Sequence, residues 1–336
     1  MKKILFLVPF FNAIFCFGQY ADTSWKPNII YPQLKDTFAK SIRQYRAHYH
    51  LITTVHFNKA GTQIISGGAT AVKLLELNDT GTLVKWTHRP FAAHEELVKY
   101  SPDESIYVVG SYGGFKIYNS KSNALILNYV FQKKDNWAPE AWFNAAGDMV
   151  VVDWFGCAYY YSKKLNQVSP QWCEGPGEYG NSNLSMEKAL TRLYGKSVHL
   201  PYFSSDRGAI KPFDLDPVTN KMLFTQTFQN EEGSETWLLL WDTQKDTLAA
   251  AAQIPDIYLH DFILVPGDTT GSVFFTGDSN IYYLNFQSNS MYLFKQLENR
   301  EYFHCLDYSK AMNALVVGTE NRENKAPKLF YIRFKD

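Results

Sequence analysis

Cysteine is scarce in this chain, with four among 336 residues, and no two of them form a Cys-x-x-Cys pair. Zinc-finger and thioredoxin-type chemistry therefore have no residue set to rest on. An excess of one charge is missing too, since 33 basic residues balance 33 acidic ones. A nucleic-acid partner calls for a basic field that such a chain does not carry. Long apolar runs are lacking after Phe17, so the body of the chain holds no segment of membrane-helix length. Catalytic and phosphate-binding signatures are equally thin. No Gly-x-Ser-x-Gly elbow occurs, and His94-Glu95-Glu96 lacks the second histidine of a zinc-protease helix. Gly195-Lys196-Ser197 has Leu190 where a phosphate-binding loop needs glycine. Asp214-x-Asp216 with Asn220 has Val218 and Thr219 in the next calcium-loop slots, so an acidic strand-to-turn connection is the expectation there.

The one apolar run stands at the start. Lys2-Lys3 precedes Ile4 to Phe17, and Cys16-Phe17-Gly18 leads into Gln19. A basic start, a short apolar core and small residues before a cut site describe a secretory signal of bacterial style. Pro9, Asn12 and the shortness of the run argue against a permanent anchor. Phe15 occupies the place where a lipidated cysteine at position 16 would want a small neighbour. The expected organisation is a signal peptide over 1–18, an N-terminal extension over 19–40 and one domain over 41–336. The mature chain is expected to be periplasmic or extracellular and to have no membrane span. Loss of Lys2 and Lys3 leaves 31 basic residues against 33 acidic ones.

Aromatic residues are abundant, at 16% of the chain with 22 Tyr and 24 Phe. That suits half-buried strands and equally suits sugar binding. The stretch KYSPDESIYVVGSYGGFKIYNSKS, Lys99 to Ser122, displays a repeating unit. An apolar residue before a turn recurs at Phe57, Tyr100, Phe143, Leu215, Val265 and Tyr308, with spacings of 43, 43, 72, 50 and 43. Each is followed by a second apolar run, such as Val150-Val151-Val152, and then by a third, such as Ile281 to Leu284. Short β-rich runs divided by turn residues at this period predict the blades of an all-β propeller.

Three places carry a resemblance to the WD-repeat family. Tyr100-Ser101-Pro102-Asp103 is similar to that family's exit from a first strand. Trp241-Asp242 is its namesake dipeptide at the end of a third strand, and Ala47-His48 stands where Gly-His is usual. The equivalent dipeptides elsewhere read Leu75-Glu76, Tyr118-Asn119, Tyr161-Ser162 and Leu284-Asn285. The resemblance covers nearly all of the mature chain and is architectural. It implies a binding scaffold, and it implies a structural hydrogen bond for His48.

Six copies are visible, and the 72-residue interval leaves room for part of another. Ser197 to Phe203 reads as a strand and Asn183 to Gly195 as a degenerate one, which favours seven blades with a truncated fourth over six with an insertion. After Tyr308 the chain supplies only two more strands, whereas Ser41 to Arg46 has no local partner. An N-terminal strand completing the last blade would remove both exposed edges. Shorter insertions are expected at Gln229 to Thr236 and Asn321 to Pro327.

No catalytic set, metal site or cofactor emerges. His48, His50 and His56 cluster in sequence, but a strand position for His56 points it at a neighbouring blade. Cys157 and Cys173 are equidistant from Leu165, so a hairpin turning there opposes them as either a disulfide or two buried thiols. Cys305 reads as core. Loops from second to third strands and from blade to blade gather on one propeller face. Trp137, Asp153, Trp154, Glu232, His260, Asp278, Glu320 and Arg322 fall there, as do Glu231, Glu235, Asn321 and Glu323. The two tryptophans are the aromatic anchors of choice, although tryptophans at loop ends also lock blades together. Three functions remain in view. The first is an exported, non-catalytic propeller that binds a protein, peptide or glycan. The second is a lactonase-like or glycan-cleaving propeller enzyme with Asp153, His260, Asp278 and Glu320 converging. The third is a structural envelope component with an apolar outer patch.

Overall fold

The computed structural model describes residues 28–29, 33–34, 39–46, 48, 51–69, 71–78, 81–88, 95–132, 136–138, 140–153, 157–169, 182–201, 213–230, 233–254, 257, 259–277, 279–296, 301–321 and 326–335. Its strands form six sheets, each built on four antiparallel strands. Blade I comprises Ile52–Phe57, Gln63–Gly68, Val72–Asn78 and Gly81–His88. Blade II comprises Glu95–Tyr100, Ile106–Ser111, Gly114–Asn119 and Leu125–Val130. Blade III comprises Glu140–Phe143, Met149–Val152, Ala158–Ser162 and Gln167–Val168. Blade IV comprises Phe213–Asp216, Lys221–Asn230, Gly233–Asp242 and Thr247–Ile254. Blade V comprises Leu259–Leu264, Ser272–Gly277, Asn280–Asn285 and Ser290–Gln296. Blade VI joins Glu301–Ser309, Ala314–Asn321 and Lys328–Phe334 to Ala39–Arg46.

The first strand of every blade contributes to the lining of one central cavity, so the blades stand radially with their first strands at the axis. Second strands are buried on both faces, as in Ile106–Ser111 and Met149–Val152, because each is covered by the blade on either side. The fourth strand of blade II alternates exposed and half-buried residues, which is the pattern of an outer rim. Tight turns join the strands. At the turn into the third strand of blade II, Gly113 has φ +85°, and a Cβ on Gly114 would lie 2.0 Å from the Tyr129 carbonyl oxygen. Only glycine fits there.

Ring closure follows the expected route. Ala39–Arg46 pairs antiparallel with Lys328–Phe334, with Arg46 opposite Lys328 and Ile42 opposite Ile332, two residues earlier in its start than the expected Ser41. The N-terminal extension does more than lead into this strand. Asn28–Ile29 adds parallel to the rim strand of blade IV, and Gln33–Leu34 adds parallel to that of blade V. The described strands 28–29, 33–34 and 39–46 therefore lie on the rims of three successive blades, IV, V and VI.

The preferred seven-blade count is corrected to six. The interval between blades III and IV holds a helix, Ser182–Tyr194, where a degenerate strand was expected. Met186, Ala189, Leu190 and Leu193 fall on one helical face and pack on Trp142, Val150, Tyr160 and Phe213 of blades III and IV. Gly195 terminates it at φ +64°. The supposed strand from Ser197 joins no sheet: Val198 N–H donates to Thr191 Oγ1 and Leu200 N–H to Glu187 Oε1. The insertion at Gln229 to Thr236 is a long hairpin extending the second and third strands of blade IV.

Part of the aromatic excess lies in the seams between blades. Trp142 stacks on Phe213 between blades III and IV, at 4.5 Å between centroids. Phe115, Tyr129 and Phe131 of blade II meet Tyr159 of blade III. Phe274 of blade V meets Tyr308 and Phe334 of blade VI. Such pairs add about 0.5–1.5 kcal/mol each beyond their burial.

Candidate functional site: the axial channel and its loop face

A first strand has a ladder partner on only one side. Its other edge faces the axis, where unpaired backbone N–H groups would be costly. Acidic residues in the first strands meet this need from blade to blade. Asp214 of blade IV accepts from Leu264 N–H of blade V at 2.8 Å. Asp261 of blade V accepts from Leu306 N–H of blade VI at 2.9 Å. Asp307 of blade VI accepts from Phe57 N–H of blade I at 2.7 Å, closing the circuit across the chain ends. Each carboxylate thus ties its own blade to the next.

Two further side-chain pairs complete the lining. His56 Nδ1 lies 2.8 Å from Asp307 Oδ2, so this histidine does face a neighbouring blade. Lys99 Nζ of blade II donates to Glu140 Oε1 of blade III at 3.1 Å, and the same oxygen accepts Ala141 N–H. The six blades so contribute one ionisable residue each: His56, Lys99, Glu140, Asp214, Asp261 and Asp307. They surround a cavity of about 70 Å³, room for a few waters. Burial opposes the charge of Asp307. It is outweighed by the His56 ring, the Phe57 N–H and Lys99, which hold the carboxyl below its usual range.

Toward the end where first strands begin, four blades share an irregularity. The first strands of blades I, II, V and VI each carry one extra residue against their second strands. The extra residues are Thr53, Glu96, His260 and His304. Bulges of this kind re-aim a side chain and concentrate beside binding sites. In blades V and VI the result is an aromatic group, with the His260 ring 6.1 Å from Tyr302 and 6.4 Å from His304 between centroids.

The expected site residues distribute as follows. Asp153 is buried at the end of the second strand of blade III. Its carboxylate accepts from Asn136 Nδ2 at 2.7 Å, Tyr159 Oη at 2.7 Å and Cys157 N–H at 2.8 Å. Trp137 bridges Tyr112 of blade II, which joins two blades through a loop residue. His260 belongs to the aromatic group, and Glu320, opposite Tyr302 in the sheet register, lies at the same end of blade VI. Trp154, Glu232, Asp278, Arg322, Glu231 and Glu323 lie outside the described residues, as does His50. Cys157 is buried and disulfide-bonded, and Cys173 lies outside the described residues. The hairpin beyond Cys157 pairs Tyr161 with Val168 and Ser162 with Gln167, half a residue from a turn centred on Leu165. Cys305 is a buried thiol 3.5 Å from the Ile52 carbonyl oxygen.

Sequence reasoning missed Tyr302, His304, Asp261 and Asp307. His260 and His304 are 44 residues apart, as Thr53 and Glu96 are 43 apart, so the repeat period itself carried the signal. His48 has its expected structural role: buried, it shares a hydrogen bond with Ser66 Oγ at 2.9 Å, and burial pushes its pKa down to about 3. Asp216, in the acidic stretch before Asn220, accepts from Val218 N–H, Thr219 Oγ1 and Gly267 N–H, again a turn and blade tie. Among the described residues, no group of three or more His, Cys, Asp and Glu is placed to hold a metal ion, and no helix is long and apolar enough to cross a membrane.

Comparison with known proteins gives the fold. No family model and no curated protein sequence matches the chain. Among solved structures, the WD40 repeats of RRP9 superpose with a TM-score of 0.63 at 11% identity, covering 90% of this chain and 100% of that one. The structure of U3-55K superposes with a TM-score of 0.61 at 11% identity, covering 87% and 98%. The chain has a β-propeller fold, similar in architecture to these WD40-repeat propellers.

Proposed function

We propose that this propeller is an exported, non-catalytic binding scaffold that engages a protein or peptide through the face on which its blade-to-blade loops gather. One observation carries the reading. Asp214, Asp261 and Asp307 each accept a backbone N–H from the next blade, so the carboxylates that would serve axial chemistry are occupied in holding the ring. A general acid or base must be within reach of substrate and able to exchange its proton. Asp153, a buried acid that the enzyme reading names, is likewise engaged three times within or beside its own blade. The bulged first strands bring His260, Tyr302 and His304 together at the loop face, and aromatic residues on a rigid ring make efficient contact anchors. Export rests on the leader-like residues 1–18 alone.

The test is a quantitative capture from cell-envelope extract, comparing wild type with a His260→Ala/Tyr302→Ala double variant, with a glycan panel as a second arm. Loss of a captured protein in the variant at unchanged melting temperature is the expected result. Glycan binding lost in the same variant would change the ligand class and keep the face. Equal capture by both proteins would remove the face from the account. Turnover of lactone or glycan substrates by the wild type, abolished in the double variant, would establish the enzyme reading instead.

A further inference from the structure

Among the described residues the rim of the propeller shows three ways of protecting a strand edge, namely charge, an added strand and shortness, and blade II has none of them. An outermost strand presents N–H and C=O groups that invite pairing, and charge or an added strand blocks it. The rim strand of blade VI carries Lys40, Arg43 and Arg46, and that of blade I carries Lys85. The rim strand of blade IV, Thr247–Ile254, has no charged residue and is covered by Asn28–Ile29. That of blade V has only Lys295 and is covered by Gln33–Leu34. Blade III ends in a two-residue strand. Blade II ends in Leu125–Val130, LILNYV, with no charge and no proline, and no described strand pairs with its outer edge. Leu125 is 54% and Val130 66% exposed.

We infer that the outer edge of blade II is a self-association surface, on which a second copy of this chain pairs Leu125–Val130 antiparallel to itself about a twofold axis. The register follows from the ladder. Phe131 N–H points inward, donating to Gly113 O at 2.9 Å, so by alternation the N–H groups of Val130 and Asn128 point outward. A twofold axis at Asn128 sets it against its own mate, so the two residues exchange backbone hydrogen bonds and their side-chain amides can bond reciprocally. Leu127 then faces Tyr129 of the second copy, and Val130 faces Ile126. No like charges oppose one another anywhere in this pairing. The strand is therefore self-complementary, and a closed twofold leaves neither edge open. An edge of the same kind already accepts an added strand on blades IV and V of this molecule. The second copy supplies to blade II what the N-terminal extension supplies there.

The experiment is sedimentation velocity over a concentration series on the full protein, with an Asn128→Lys/Val130→Lys variant and Val218→Lys as a control at an exposed site in blade IV. The wild type and the control are expected to dimerise reversibly. The double variant should weaken the dimer by on the order of tenfold or more, about 1.4 kcal/mol, while circular dichroism and melting stay those of the wild type. Amide exchange at Asn128 and Val130 should slow as wild-type concentration rises, a readout that needs no substitution. A wild type that stays monomeric throughout overturns the inference. So does a dimer that survives both lysines or leaves the exchange at Asn128 and Val130 unchanged.

Discussion

A chain beginning at residue 47 is expected to lose cooperative folding, whereas one beginning at residue 28 keeps it. The strand Ala39–Arg46 is the fourth strand of blade VI and, among the described residues, the only link between the two ends of the ring within a sheet. Without it, Lys328–Phe334 becomes an open edge, and Leu329, Phe330, Tyr331 and Ile332, all buried in the intact ring, lose cover on one side. Fully exposing a large apolar side chain costs about 1.5–3 kcal/mol. Partial exposure of four, with Ala39 and Tyr45 also removed from the cores they pack against, is comparable to the roughly 5–15 kcal/mol that separates folded from unfolded domains. The rim strands of blades IV and V lose their added strands in the same truncation. Circular dichroism melting and size exclusion check this. The shorter chain should aggregate or melt without a sharp transition. A cooperative melt at the temperature of the longer chain would mean that the ring is closed by something else.

Asp307→Ala is expected to cost about 1–3 kcal/mol, the range for leaving a buried backbone donor without its acceptor. It leaves Phe57 N–H without its acceptor and His56 without its carboxylate, at the one seam where the chain ends meet. Asp307→Asn keeps an oxygen for Phe57 N–H and should lose much less. The pH dependence has a definite sign. The carboxyl's pKa is lowered in the folded protein from 3.8, against the cost of its burial, by His56, Phe57 N–H and Lys99. Its contribution is therefore present above the unfolded value and disappears as pH falls through the lower, folded value. The gap between wild type and Asp307→Ala should thus be full and level above about pH 4 and narrow as pH falls from there through the folded value. Denaturant unfolding from pH 7 to pH 2 measures this. A constant gap across that range would show that the carboxylate's charge contributes nothing.

The repeat period made the architecture legible before any coordinates, because each blade must present the same buried second strand and the same turn. Ring closure by the N-terminal strand was legible for a related reason, since a strand with no local partner must find a distant one. The blade count failed at 183–203, where the search for a further repeat overrode local periodicity. Met186, Ala189, Leu190 and Leu193 follow the helical spacing, and Gly195 marks its end. The anchor of blade V was placed at Val265, whereas Leu264 is the residue opposite Val273 in the ladder. The seven-residue turn Val265 to Gly271 is longer than its counterparts, which displaced the alignment by one. Aromatic composition left core and sugar binding open, and packing decided it for the rings that stack between blades. The axial acids escaped notice because their partners are backbone groups 50, 45 and 250 residues away. No local motif encodes such contacts.

The central claim, that the axial carboxylates hold the ring and do not carry out its function, is tested most directly by the melting temperature of Asp261→Ala. Asp261 Oδ2 takes Leu306 N–H from the next blade, and Oδ1 takes Phe262 N–H from its own. Losing that buried acceptor should cost about 1–3 kcal/mol, a fall of several degrees in a chain of this size, with Val218→Ala at an exposed turn as the unchanged reference. An active-site carboxylate behaves in the opposite way, because sites held for function tend to gain stability when replaced. A melting temperature that holds or rises in Asp261→Ala would contradict the account and make the channel the functional site.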